Sequence, residues 1–197
     1  MPCSPTEVDE AVSTIGPMSE RALYTYADLA TFPDDGLRRE IIDGELIVTA
    51  APYLRHQQIL GELHGAFWSH LKTHGGGKVF FAPTDVVFSE INVVEPDLLF
   101  VPDDLLHILT KKNIQGAPAL VVEVVSDTRM DRVRKRDLYA RFGVPEYWVV
   151  DPDADRVEVY RLSGETYAKP EIFEPPETLT YKRLPGLTIN LAELFAR

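Results

Sequence analysis

The chain has 197 residues, of which 45% are hydrophobic and 26% are charged, and its net charge at pH 7 is -11. This length is enough for one well-packed soluble domain, and the acidic balance argues against binding nucleic acid through overall positive charge. No apolar run approaches the roughly 20 residues that span a bilayer, and the N-terminus lacks the pattern of a secretory signal. The single cysteine, Cys3, excludes an internal disulfide, so we expect a cytoplasmic protein with no membrane association.

The first part of the chain predicts a tail, a short helix, a hairpin and a long helix. Residues 1–20 are rich in proline without sustained periodicity, which predicts a flexible tail before a single domain over residues 21–197. A short helix capped by Thr25 is expected to end before Pro33. Two apolar runs around Asp43-Gly44 are typical of a β-hairpin. Residues 53–73 place their apolar side chains on one helix face, and the following glycines end that helix.

The remaining elements alternate between strands and helices. Strands are predicted at residues 79–82, 85–88, 93–101, 120–126 and 147–150, with an edge strand at 156–162. Helices are predicted at residues 128–142 and near Leu191. Strands on both sides of a strand–helix–strand unit indicate an α+β fold with an α/β core, in which helices flank a mixed sheet and further antiparallel strands are added.

Two carboxylates stand alone in apolar, β-branched runs. Asp97 begins the run that ends at Val101, and Glu123 lies among four valines. A carboxylate in such a run is costly to bury unless a cation compensates its charge. Lys135 follows on the next predicted helix, where its spacing to Leu138 and Tyr139 places it on the face that packs against the sheet.

This arrangement predicts a magnesium site at the edge of the sheet. Carboxylate oxygens are the ligands that Mg²⁺ prefers, and a bound Mg²⁺ activates water and polarises a phosphodiester. A neighbouring lysine orients that water or stabilises the charge that develops on the phosphate. Simpler interpretations stay open for two residues: Asp97 caps a turn after Pro96, and Lys135 pairs with Asp131 along the helix.

Several segments together resemble the Uma2 family within the PD-(D/E)XK nuclease superfamily. They are residues 40–46, 96–101, 122–126 and 131–135, followed by Leu138-Tyr139 and residues 143–152. The resemblance extends over residues 20–195 and implies a mixed β-sheet of the restriction-endonuclease type. It also implies a divalent metal ion as cofactor, Mg²⁺ with Mn²⁺ as a substitute.

The resemblance assigns roles to individual residues. It implies that the catalytic residues are Asp97, Glu123, Lys135 and Glu40, and that the metal ligands are Asp97, Glu123 and the carbonyl of Val124. Glu45 remains the alternative to Glu40 as the fourth acid. His56 matches a family histidine, and a partly buried helix residue is an equal interpretation of it.

Two positions depart from the superfamily pattern. The lysine usually found two residues after the glutamate is replaced by Val125, and a lysine on the following helix is similar to the Uma2 pattern. Asp127 stands where the family has a proline. This extra acid either joins the metal ligands or repels a phosphate, and both interpretations stay open.

The sequence therefore predicts an Mg²⁺-dependent endonuclease that hydrolyses phosphodiester bonds in DNA. A homodimer is expected, because cutting both strands requires two sites. Four arginines near the site either contact phosphates or form a solvated helix face, namely Arg129, Arg132, Arg134 and Arg136. The acidic net charge favours the alternative, a catalytically silent module with the nuclease fold that binds nucleic acid or protein. A third hypothesis is a structural protein with a buried ion pair.

Overall fold

The computed structural model describes residues 23–49, 51–125 and 129–196. The predicted tail at residues 1–20 and Asp127 lie outside these ranges. The helices are α1 (Tyr26–Leu29), α2 (Leu54–His74), α3 (Arg136–Arg141) and α4 (Leu191–Leu194). The strands are β1 (Arg38–Ile42), β2 (Glu45–Thr49), β3 (Gly77–Phe81), β4 (Val86–Ser89), β5 (Asn92–Val94), β6 (Leu98–Pro102), β7 (Ile114–Gln115), β8 (Leu120–Val124), β9 (Glu146–Asp151), β10 (Arg156–Ser163), β11 (Thr166–Tyr167), β12 (Glu171–Phe173), β13 (Thr178–Thr180) and β14 (Thr188–Asn190).

The first four elements confirm the sequence prediction. The Thr25 amide donates to Asp28 Oδ2 at 2.7 Å at the start of α1. Asp43 and Gly44 have φ values of 52° and 75°, the left-handed backbone that a tight two-residue hairpin turn requires. Helix α2 buries its apolar stripe against the sheet and ends at Gly75, which has a φ of 69°.

Two main sheets form the fold. The first has the strand order β2-β1-β5-β4-β7, and the second has the order β11-β10-β9-β8-β6-β3 with β12 also paired to β10. Strands β8 and β9 are parallel, and the other pairs of the second sheet are antiparallel. Every residue of β6 and β8 is buried, because one hydrophobic cluster covers each face of this sheet. The α+β prediction is confirmed.

The single strand predicted over residues 93–101 is wrong. Residues 92–94 form β5 in the first sheet, whereas residues 98–102 form β6 in the second. Pro96 lies in the break, where it has no amide hydrogen to donate to a strand partner. Asp97 lies in this break, between β5 of the first sheet and β6 of the second, so its carboxylate lies where the two sheets meet.

The prediction that β10 is an edge strand is also wrong. Strand β10 pairs with β9 on one side and with β11 and β12 on the other. Both outer strands come from the segment after Gly164, whose proline content obscured them in the sequence. The charged residues of β10 are tolerated inside the sheet because they are paired, as Glu158 is with Arg132.

The helix predicted over residues 128–142 has two parts, although Thr128 lies outside the described ranges. Met130–Lys135 form a π-helix, and α3 continues from Arg136. Single π turns inside helices occur frequently at functional sites. Lys135 is the last residue of this turn. Among the described residues, no helix has the length and apolarity needed to cross a membrane.

Candidate active site

The four residues expected to be catalytic lie together. Glu40 comes from β1, Asp97 precedes β6, Glu123 lies in β8, and Lys135 ends the π-helix. Their exposed fractions are 1%, 2%, 2% and 3%. All four line a cavity of about 190 Å³, whose rim includes residues 47–49 of β2 and Met130. Burial of four ionisable groups in one cavity requires mutual compensation.

Lys135 points into this cavity. Its Nζ lies 3.0 Å from Oε1 of Glu123 and 3.0 Å from Oε1 of Glu40. Burial disfavours the ammonium, but the charges of Glu123 and Glu40 outweigh burial and raise the pKa of Lys135. The tyrosine four residues later, Tyr139, donates its hydroxyl to the same Glu123 oxygen at 2.7 Å. Lys135 is therefore a fixed positive charge inside the cavity.

Asp97 is held by three donors. Its Oδ2 accepts the amide of Val124 at 2.9 Å and lies 3.0 Å from Nε2 of His56. Its Oδ1 accepts Nη1 of Arg38 at 2.9 Å. Burial alone would raise the pKa of Asp97, but the hydrogen bond from His56 and the charge of Arg38 lower it well below its usual range. Asp97 is an ionised carboxylate of fixed orientation.

His56 therefore belongs to this cluster. It lies in the first turns of α2, is 5% exposed, and contacts Asp97 through Nε2. Because an ionised carboxylate only accepts hydrogen bonds, Nε2 carries the proton. Its Nδ1 is buried and has no hydrogen-bond partner among the described residues.

Two other acids carry protons more readily than usual. Burial raises the pKa of Glu123 to about 8, although Lys135 lowers it, and the charge of Asp97 adds to the rise. Burial likewise raises the pKa of Glu95 to about 7 against the opposing charge of Arg38. Burial in the cavity therefore disfavours the ionised forms of both acids.

Arg38 and Glu95 were not expected from the sequence. The guanidinium of Arg38 lies 2.9 Å from Asp97, 3.8 Å from Glu40, 3.8 Å from Glu95 and 3.9 Å from Glu123. The available signal was the period of two along a strand, which places Arg38 on the same face as Glu40. The same two-residue spacing separates Glu95 from Asp97 within the strand predicted over residues 93–101.

Glu40, rather than Glu45, is the acid in the cavity. Glu40 Oε1 accepts the amide of Glu95 at 2.8 Å. Glu45 is exposed, and its Oε2 lies 2.9 Å from Nη2 of Arg134. Val124 contributes its amide to Asp97, whereas the resemblance implied a role for its carbonyl.

Among the arginines expected to contact phosphate, Arg132, Arg134 and Arg136 form ion pairs with carboxylates. Arg132 binds Asp151 at 2.6 Å and Glu158 at 3.0 Å. Arg134 pairs with Glu45, and Arg136 pairs with its neighbour Asp137 at 2.6 Å. Arg129 is exposed. The local basic excess is therefore largely compensated within the described part of the chain.

The cavity offers carboxylate oxygens, the donor type that a hard divalent cation takes. In the ranges 23–49, 51–125 and 129–196, however, no group of three or more His, Cys, Asp or Glu side chains is placed so that it could hold a metal ion. The acids instead face Arg38 and Lys135. Buried atoms Nε and Nη2 of Arg38 have no hydrogen-bond partner in these ranges, although Glu40, Glu95 and Glu123 lie 3.8–3.9 Å away. Mg²⁺ takes carboxylate oxygens as ligands, and here these oxygens surround the guanidinium of Arg38, whose geometry does not match them.

Comparisons with known proteins identify a family and a shared fold. The model of the Uma2 family, described as "Putative restriction endonuclease", matches residues 24–192. Among solved structures, the chain is similar to a crystal structure described as "a putative nuclease belonging to DUF820" from Anabaena variabilis. The TM-score is 0.73 and the identity is 20%, over 87% of this chain and 97% of that chain. This similarity shows a shared fold. No curated protein matches the chain.

Proposed function

We propose that this chain, which belongs to the Uma2 family, is an endonuclease that hydrolyses phosphodiester bonds in DNA with Mg²⁺ as its cofactor. The observation that carries the proposal is the position of Lys135 Nζ, 3.0 Å from two buried carboxylates. A buried ammonium beside two acids in a cavity suits charge development on a phosphate.

Asp97 and Glu123, with the carbonyl of Val124, are the residues proposed to hold the metal ion. Mg²⁺, or Mn²⁺ in its place, would polarise the phosphate and lower the pKa of a bound water. The protein's own contribution is orientation. His56 and the Val124 amide fix Asp97, and Tyr139 fixes one oxygen of Glu123.

Lys135 is proposed to act on the reacting groups directly. Its ammonium can donate to the attacking water or to a phosphate oxygen, and Glu40 keeps the chain of Lys135 extended into the cavity. Losing one such donor typically costs roughly 10²–10³ in rate. The cavity of about 190 Å³ is large enough to hold water, and it is where the scissile phosphate is proposed to bind.

We further infer that the enzyme is a cytoplasmic homodimer, since two sites are needed to cut both strands. Arg129, which is exposed, is proposed to contact a DNA phosphate. Contacts of this kind position DNA without reading its sequence.

A silent binding module is the second candidate. It is favoured by the compensation of Arg132, Arg134 and Arg136 by carboxylates and by the net charge of -11. In that case Arg38 and Lys135 permanently neutralise the acids. This candidate predicts that neither Mg²⁺ nor Mn²⁺ binds at millimolar concentration.

The test is cleavage of supercoiled plasmid DNA with Mg²⁺ and with a chelator. We expect cleavage only with Mg²⁺, and a loss of about a hundredfold or more in Asp97→Asn and Lys135→Met. Lys72→Met is the matched control, because Lys72 lies over the ring of Trp68 and outside the cavity. Equal residual cleavage by all four proteins would identify a contaminant and overturn the proposal.

A further inference from the structure

We propose that Arg38 is a displaceable cation: it holds the position of the divalent ion in the metal-free protein and moves out when the ion binds. This inference rests on the proposed function, since it concerns the same cavity. It adds a specific role for a residue that the resemblance does not assign.

The contacts of Arg38 indicate a central but poorly matched position. One guanidinium lies within 4 Å of four carboxylates, those of Glu40, Glu95, Asp97 and Glu123. Only the contact between its Nη1 and Asp97, at 2.9 Å, has hydrogen-bond length. Buried donors Nε and Nη2 have no hydrogen-bond partner in the described part of the chain. Buried donors without partners carry a free-energy cost.

The second cation of the cavity is held differently. Lys135 Nζ lies 3.0 Å from both Glu40 and Glu123, and its side chain is 4% exposed. A spherical ammonium therefore fits its two acids, whereas the planar guanidinium of Arg38 does not fit its four. Arg38 is the cation that an entering ion displaces at lower cost.

Arg38 also has a route out of the cavity. Its side chain is 22% exposed, against 2–3% for the side chains of Glu40, Asp97 and Glu123. It is the first residue of β1 and follows a turn in which Gly36 has a φ of 75°. Among these side chains, that of Arg38 therefore has the most contact with solvent, although its Nε and Nη2 atoms are buried, and we infer that it leaves the cavity from this end of β1.

Charge balance favours the exchange. Four carboxylates face two single positive charges, those of Arg38 and Lys135. A divalent ion in place of the guanidinium brings two charges where one was present, and takes direct oxygen ligands. The displaced guanidinium regains hydration, which its buried nitrogens now lack.

Calorimetric titration with Mg²⁺ tests the inference through affinity alone. We expect Arg38→Met to bind Mg²⁺ about tenfold more tightly than the wild type, because the competing cation is gone. Arg39→Met is the matched control, since Arg39 is the next residue of β1 and pairs with Asp35 at 2.6 Å. The Arg39→Met variant removes one positive charge outside the cavity, so its affinity for Mg²⁺ should equal that of the wild type.

The unmodified protein supplies a second measurement if Arg38→Met does not fold. The side-chain Nε–H signal of Arg38 in an NMR spectrum is assigned by its absence in Arg38→Lys. We expect saturating Mg²⁺ to shift this signal and to accelerate its exchange with water. Mg²⁺ binding that leaves the signal unchanged would overturn the inference and leave the proposed function intact.

The remaining outcomes are also decisive. Equal or weaker Mg²⁺ binding by Arg38→Met would show that the guanidinium does not compete with the ion. Absence of binding by both wild type and Arg38→Met would overturn the inference together with the proposed function. Binding by Arg38→Met alone would show that the guanidinium blocks the site permanently, and would overturn the inference together with the proposed function.

Discussion

The Nζ atom of Lys135 lies 3.0 Å from Oε1 of Glu123, although the two residues belong to different elements and are 12 positions apart. The π turn at Met130–Lys135 ends at this lysine, which is buried. The same ammonium lies 3.0 Å from Oε1 of Glu40. One cation thus joins two sheets and a helix.

We predict that Lys135→Met destabilises the protein. Removal of the ammonium leaves Glu40 and Glu123 buried with less compensation, and breaking a buried ion pair in this way costs about 3–5 kcal/mol. The free energy of unfolding in urea measures the loss. Glu123→Gln added to Lys135→Met should restore part of it, because the unpaired charge is then removed. A double variant less stable than Lys135→Met would contradict this explanation.

We predict that Tyr139→Phe lowers stability more modestly. The change removes the hydroxyl that donates to Glu123 at 2.7 Å and keeps the ring in the core. A hydrogen bond to a charged group is worth about 1.5–3 kcal/mol. Tyr167→Phe is a useful comparison, since the hydroxyl of Tyr167 donates to the carbonyl of Val144 at 2.9 Å, a neutral acceptor. The comparison, by urea unfolding, is made at pH 9, above the pKa of about 8 for Glu123, where equal losses for both variants would contradict a charged Glu123.

We predict that Asp97 makes the protein sensitive to acid. Its pKa is lowered in the folded state relative to about 3.9 in an unfolded chain. Its stabilisation is therefore present above about pH 4 and is lost as the pH falls through the lowered folded pKa. Unfolding free energies between pH 7 and 2 should fall more steeply in the wild type than in Asp97→Asn. The control Asp137→Asn, at an exposed pair, should follow the wild type.

We predict that Mg²⁺ binds more tightly as the pH rises. The pKa values of about 7 for Glu95 and about 8 for Glu123 mean that protons occupy these carboxyls at pH 6 and compete with the ion. Affinity should increase roughly tenfold or more between pH 6 and 8, with protons released on binding. Calorimetry in two buffers of different ionisation enthalpy measures the release. Equal affinity at both pH values would contradict competition by protons.

The sequence predicted the parts of this site that have a local pattern. Asp97 and Glu123 stood out because each is a lone acid in an apolar strand, and the spacing of Lys135 to Leu138 and Tyr139 indicated its inward face. The choice of Glu40 and His56 came from family resemblance, since neither residue has an unusual local context. In the structure, both residues lie in the cluster around Asp97 and Lys135.

The parts that were missed depend on contacts between distant segments. Arg38 was not predicted to belong to the site, because its partner Asp97 is 59 positions away. The interior position of β10 depends on β11 and β12, two- and three-residue strands too short to show periodicity. The break at Pro96 had a local signal, but the apolar residues on both sides concealed it.

The most direct test of the central claim is a crystal structure of the protein soaked in Mn²⁺, with anomalous scattering used to locate the ion. We predict an anomalous peak within ligand distance of both Asp97 and Glu123, with Lys135 still facing the cavity. A Mn²⁺ peak only at the surface, or no peak beside these two acids at saturating Mn²⁺, would contradict the account.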